Sequence, residues 1–297
     1  MKLFKKVFLT AALIMSFSMT GISQASPVVI GGKNFTEQLI LAEITNQYLK
    51  AKGFTTELKT GMGSSLLRKA LESKQVHVYW EYTGTAFLTY HKNKWQQQTS
   101  DEIYKSIKAK DAKDNIVWLD MSKANNTYAL AMRSADAKAK GISTMSDYAK
   151  QVNSGKSIKL GLNVEFYKRA DGFPAVQKTY KFKVPRKDVK RMDSGLVYKA
   201  LKDKDVDVGL VFATDGRIPA FNFTVLKDDK QVFPAYALTP NIRKETLDAN
   251  PKLGTYLNKL SSLIGGDTMA FLNAEVDVEK KSVAQVASEF LKKNGLN

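Results

Sequence analysis

Val28-Val29-Ile30-Gly31-Gly32-Lys33-Asn34-Phe35-Thr36-Glu37-Gln38 is a β-branched run, two glycines and then the opening of a helical pattern. The run reads as a short strand entering a tight turn. From Thr36 to Lys52, apolar Leu39, Ile40, Ile44, Tyr48 and Leu49 keep a helical spacing, with Thr36 as a candidate cap and Glu37 in the first turn. Gly53 stops this helix, and Thr55 to Thr60 resumes as a strand. The β-α-β opening predicts an α/β fold, and the alternation persists along the chain. Helical patterns recur at 64–74, 101–110, 146–153, 172–180, 194–201, 250–264 and 282–294. Extended runs fall at 76–80, 127–132, 158–162, 206–212, 224–226 and 232–238. Strands alternating with helices imply mostly parallel sheets. No repeat or low-complexity linker interrupts them, which fits two lobes joined by short crossing strands.

Upstream of this pattern, Lys2, Lys5 and Lys6 precede an apolar run from Val7 to Met19, and Ser23-Gln24-Ala25 supplies small residues for cleavage. The apolar run is short for a membrane span, so residues 1–25 read as a cleaved secretory signal, with an uncleaved anchor as the alternative. The remaining ~270 residues suffice for one large or two medium lobes. The chain has no cysteine. An exported protein of this composition has no disulfide, no thiolate nucleophile or metal ligand, and no lipid attached through an N-terminal cysteine.

The formal charge is +17, and three lysines without an acid in residues 1–25 leave +14 after cleavage. Such a balance invites a nucleic-acid partner. The lysines read as spread along the chain, however, and a solvated basic surface with some attraction to anionic membrane faces is the favoured reading.

Catalytic chemistry finds little support. His77 and His91 are the two histidines, so a multi-histidine metal site is excluded, and no Gly-x-Ser-x-Gly elbow occurs. Gly61-Met62-Gly63-Ser64-Ser65 lacks the lysine of a phosphate loop and reads as a turn before a helix. Asp228-Asp229 sits in a lysine-flanked turn. Binding is better supported. Val76-His77-Val78-Tyr79-Trp80-Glu81-Tyr82-Thr83-Gly84-Thr85 sets rings beside polar donors where a strand gives way. Tyr128, Tyr198, Phe212 and Phe221 also sit beside turns and strand ends. Converging ring faces make a cage for a quaternary ammonium, which has no hydrogen bond to donate. Spacing alone does not show that the rings converge.

These residues carry a resemblance. The blocks Gly32 to Gln38, Glu81 to Thr85, Asn126 to Ala129, Arg169 to Gly172, Gly195 to Leu201, Thr214 to Ile218 and Leu226 to Lys230 match, in order, the substrate-binding proteins of osmoprotectant ABC transporters. That family takes up glycine betaine, choline, carnitine and related amines. The resemblance implies a type II bilobal periplasmic binding protein, α/β in both lobes, hinged by two crossing segments. Residues 26–133 would begin the first lobe, 134–225 form the second, and 226–297 complete the first. The family's aromatic cage falls on Tyr82, Tyr128 and Tyr198, with a fourth wall at Phe221, where the family more often has tyrosine, or at Phe212. Its carboxylate-binding positions fall on Lys33, Thr85 and Arg169. Choline-restricted relatives tend to carry an acid where Thr85 stands, so the resemblance leans towards zwitterions. It further implies a periplasmic monomer delivering a quaternary amine to an inner-membrane ABC permease, with no cofactor, metal, nucleic acid or catalysis. Two rival readings remain: the same fold serving another ligand, suggested by the apolar approach Val78-Tyr79-Trp80, and a periplasmic enzyme using His77 or His91. A basic adhesin-like surface protein is a third.

Overall fold

The computed structural model describes residues 26–296, so the expected signal peptide lies outside the described residues. Among these, the strands along the chain are β1 (Val28–Lys33), β2 (Thr56–Met62), β3 (Val78–Tyr82), β4 (Ile116–Trp118) and β5 (Tyr128–Arg133), then β6 (Leu160–Asn163), β7 (Val189–Met192), β8 (Val208–Phe212), β9 (Phe223–Leu226) and β10 (Leu238–Arg243). They form two five-stranded sheets, ordered β2-β1-β3-β10-β4 and β7-β6-β8-β5-β9. In each sheet an α/β unit supplies the parallel strands: β1 pairs with β2 and β3, and β6 with β7 and β8.

The expectation of mostly parallel sheets is corrected, because each sheet also has two antiparallel pairings. β10 runs against β3 and β4, and β5 against β8 and β9. Both strands enter their sheets directly from the opposite sheet, without the helical crossover that parallel neighbours need. The chain crosses at 122–127 and returns at 227–237. There Ser122 N donates to Leu238 O at 2.9 Å, Leu238 N to Ala124 O at 3.0 Å and Asn126 N to Tyr236 O at 3.1 Å. These are the two crossing segments of a bilobal fold. Residues 128–133, expected in the first lobe, are hydrogen-bonded into the second sheet, as is Leu226. An extended run announces a strand and not its partner, so the expected boundary fell one strand late.

β1 is buried along its length because both faces are covered. Val28 and Ile30 pack with Val78, Ile242, Leu49 and Leu257, whereas Val29 meets Tyr79, Leu67 and Leu71 on the other face. Gly31, read as a turn, lies inside the strand. A Cβ there would stand 2.5 Å from Leu67 Cδ1 and 2.8 Å from Val76 Cγ1, so glycine is required by the close approach of helix Ser64–Glu72. The helix Thr36–Ala51 begins as expected, but the Thr36 hydroxyl does not cap it; it donates to Asp277 at 2.9 Å. The C-terminal helices Gly266–Asp277 and Val283–Lys293 pack on Thr36–Ala51. No described helix is long and apolar enough to cross a membrane.

Candidate functional site

A cavity of about 430 Å³ lies between the two sheets. Lys33, Tyr82, Asn163, Met192 and Phe212, which line it, are the last residues of β1, β3, β6, β7 and β8. Carboxyl ends of strands are where α/β sheets hold ligands. The antiparallel β5 brings its first residue to the same edge, and the register sets Tyr128 opposite Phe212.

Five rings line the cavity: Phe35, Tyr82, Tyr128, Phe212 and Tyr236. Phe35 stacks on Phe212 at 5.3 Å between centroids and 8° between planes, and lies 6.2 Å from Tyr82. Tyr128 stands 5.5 Å from Phe212 and meets Tyr236 edge-on at 5.2 Å. The Phe35–Phe212 pair spans the cleft, one ring from each sheet's edge. Beyond it, a smaller cavity of about 180 Å³ shares the Phe35 and Phe212 walls and reaches Glu37, Thr214 and Asn273.

Of the expected cage, Tyr82 and Tyr128 line the cavity, and Phe212 is the wall rather than Phe221. Phe221 packs on Phe223 at 5.8 Å, with Lys202 over its ring, away from the cleft. Tyr198 is fully buried beneath Arg217, whose guanidinium lies 3.9 Å from its ring centroid. Its hydroxyl accepts from Phe212 N at 2.8 Å. Tyr198 therefore supports the strand end that carries Phe212 instead of lining the cavity. Phe35 and Tyr236 were missed. Tyr236 comes from the returning crossing segment and is buried with its hydroxyl unpartnered among the described residues. It lies against Gly84, where a Cβ would sit 2.8 Å from two of its ring carbons.

The expected carboxylate-binding residues Lys33, Thr85 and Arg169 all line the cavity. Two of them already hold acids. Lys33, buried, pairs with Glu81 at 2.5 Å and sits 4.9 Å from the Tyr82 ring centroid. Glu81 also accepts from the hydroxyls of Tyr79 at 3.0 Å and Tyr90 at 2.7 Å. Arg169 directs its planar fork at Asp171, through Nε at 3.0 Å and through Nη2. Its Nη1 donates to Glu165 at 3.0 Å and to the Tyr128 hydroxyl at 3.2 Å. Glu165 is itself a cavity residue. Burial pushes its carboxyl up, but the charges of Lys33 and Arg169 and the bond from Ser64 outweigh that and hold it low.

Glu37, expected only as a first-turn acid, is 3 % exposed. It accepts from Tyr82 Oη and Asn126 Nδ2, both at 2.7 Å, from the Thr214 hydroxyl, and from Asn273 Nδ2 at 3.4 Å. These donors fill the acceptor positions of an ionised carboxylate without a cation among them. Burial raises its pKa above the ordinary value, against the lowering effect of the Thr214, Tyr82, Asn126 and Asn273 bonds. Its signal in the sequence was faint: an acid in the first turn of a helix.

Neither histidine reaches the cavity. His77 Nδ1 accepts from Val29 N at 3.0 Å, and His91 Nε2 lies 2.8 Å from Asp111, itself paired with Arg68. Among the described residues no group of three or more acids and histidines is placed to hold a metal ion.

Comparison with known proteins agrees with this geometry. The model of OpuAC, the substrate binding domain of ABC-type glycine betaine transport system, matches residues 26–293. The chain is 39 % identical to the glycine-betaine-binding protein of Pseudomonas aeruginosa, over 93 % of this chain and 90 % of that one. It is 30 % identical to the glycine betaine-binding protein YehZ of Escherichia coli, over 92 % of each. The crystal structure of a glycine betaine/carnitine/choline ABC transporter superposes with a TM-score of 0.73 at 31 % identity, covering 91 % of this chain and 99 % of that one.

Proposed function

The chain belongs to the family of substrate binding domains of ABC-type glycine betaine transport systems, and we propose that its cavity captures a betaine-type quaternary amine for delivery to a membrane permease. The observation that carries this reading is the convergence of five rings, drawn from both sheets and a crossing segment, on one cavity beside Lys33 and Arg169. Ring faces attract a cation within about 6 Å of their centroids. Phe35 and Phe212 stack too closely to admit a cation between them, so it packs against the remaining rings or parts that stack. Thr85 and the free N–H groups of Lys33 remain for a carboxylate. We take residues 26–121 with 238–296 as one lobe, 128–226 as the other, and the protein as an exported, periplasmic monomer.

A second reading is favoured by the Arg169 geometry. With its fork on Asp171 and a third contact on Glu165, the site is less cationic than the resemblance implied, which suits choline. Isothermal titration of ligand-free protein with glycine betaine, carnitine and choline separates the two. Tight betaine and weak choline binding supports the zwitterion, choline alone supports the second reading, and silence from all three overturns both.

A further inference from the structure

We propose that the face built by residues 178–191 is a docking surface for anionic phospholipid headgroups. The lysines that read as spread along the chain are not evenly distributed in the fold. Residues 128–226 carry 19 basic and 10 acidic side chains, and within them residues 178–191 hold seven Lys or Arg against one acid.

The local structure turns all seven outward. Lys178 closes the helix Phe173–Tyr180; Lys181 and Lys183 follow in a loop; Arg186 and Lys187 lie on a single helical turn; Lys190 and Arg191 lie on the edge strand β7. Each is exposed. Tyr180, Phe182 and Val184 alternate with the loop lysines and are buried in the core. Burying every second residue fixes the loop and directs Lys181 and Lys183 to solvent. The single acid, Asp188, is buried and accepts from the Ser157 hydroxyl at 3.0 Å. Ion pairs in residues 128–226 are made by Arg133, Lys140, Lys150, Arg169, Lys199 and Arg217. None of the seven takes part among the described residues.

Charged side chains on an edge strand discourage pairing with other chains. That accounts for Lys190 and Arg191 but leaves the other five, which lie outside the strand. The chemistry of the patch selects a diffuse anionic surface. Five of its seven cations are lysines, point charges without a planar fork for one shaped anion. Its two rings, Tyr180 and Phe182, are buried, so residues 178–191 offer no platform on which nucleic-acid bases could stack. A lipid surface asks only for accumulated positive charge. The face adjoins the cleft, since Met192 of β7 lines the cavity and Arg191 lies over the Tyr167 ring at 5.1 Å. Docking there would hold the cavity mouth near the bilayer.

The test is flotation of the purified protein with vesicles of phosphatidylcholine alone or mixed with phosphatidylglycerol. Wild type is expected to bind the anionic vesicles selectively and to be released as salt approaches about 0.15 M and beyond. The variant Lys181→Gln/Lys183→Gln/Lys187→Gln/Lys190→Gln is expected to lose at least about tenfold in partitioning, with betaine titration unchanged as the sign of an intact fold. Lys50→Gln/Lys52→Gln/Lys108→Gln/Lys113→Gln removes the same charge from exposed positions elsewhere and is expected to bind like wild type. Equal loss in the two variants, equal binding to both vesicle types, or tighter binding to a short DNA duplex than to anionic vesicles would overturn the assignment.

Discussion

The two ends of the cleft are held in different ways. At the hinge end, Glu37 joins Asn126 of the crossing segment, Thr214 beyond β8 and Asn273 of a C-terminal helix through buried, charge-assisted bonds. Beside it Arg217 reaches Asp277 at 3.1 Å, and Gly216 packs so closely that a Cβ would lie 2.6 Å from Ala270 O. At the mouth, Ser64 N donates to Glu165 at 3.3 Å and the Thr89 hydroxyl to Asp171 at 3.3 Å, both part-exposed. Water can replace the mouth contacts at little cost, whereas separating the hinge end strands a buried carboxylate. The asymmetry predicts that the Glu37 end acts as the pivot and the Ser64–Thr89 edge as the part that opens, as in hinge closure around a ligand.

The largest expected effect tests the pivot itself. Glu37→Ala leaves four buried donors without their acceptor and should cost about 3 kcal/mol, read by urea unfolding, with betaine binding lost as Tyr82 loses its anchor. A cost below about 0.5 kcal/mol would place Glu37 with ordinary surface sites and make the two ends equivalent. The pH dependence has a definite sign. The folded-state pKa lies above the unfolded 4.5, so the native state holds the proton more tightly between the two values. Stability from this group falls as pH rises through that window and is flat below it. Glu37→Gln should remove that slope.

Next in size, the ring wall separates the two positions that the sequence left open for it. Phe212→Ala should weaken betaine binding about tenfold or more, near 1.4 kcal/mol, whereas Phe221→Ala should leave it unchanged. The opposite result would return the fourth wall to Phe221.

That pair also shows where sequence reading succeeds. Tyr82 and Phe212 both close a strand at the cleft edge, and a ring at a strand's carboxyl end was legible from the β-to-loop transition. Tyr198 was misread because its helix keeps Val197 and Leu201 beside it, and that apolar spacing already placed it on the core face. Phe35 stood inside the quoted stretch Gly32 to Gln38 but was given no role there. Tyr236 owes its place to Gly84, a contact 152 residues distant in the chain that no local pattern encodes. Lys33, Thr85 and Arg169 do line the cavity, but their charge balance depends on Glu81 and Asp171, and charge pairing across a fold is invisible to spacing. Strands such as β1, β3, β5, β6 and β8 were legible because their periods are local, but the short strands β4 and β7, most of β10 and the helix Gly266–Asp277 were not read, nor were the partners of β5 and β10.

Gly84→Ala comes third. Its added methyl must push the Tyr236 ring from the cavity wall, an overpacking cost of about 1 kcal/mol or more, with betaine affinity expected to fall about fivefold. Unchanged affinity would remove Tyr236 from the site while leaving the pivot intact.

The smallest effect belongs to the mouth. Thr89→Val deletes the hydroxyl that reaches Asp171 and keeps the side chain's shape. A part-exposed bond of this length is worth about 0.5 kcal/mol, so betaine affinity should change only two- to threefold. The informative readout is shape. Small-angle scattering of the ligand-free variant should show a shift towards an open form, restored by saturating ligand, because the mouth contacts bias closure and the ligand supplies the rest. If Thr89→Val unfolds the protein or lowers affinity as far as Glu37→Ala does, the mouth is not the weak edge, and the pivot must be sought elsewhere along the cleft.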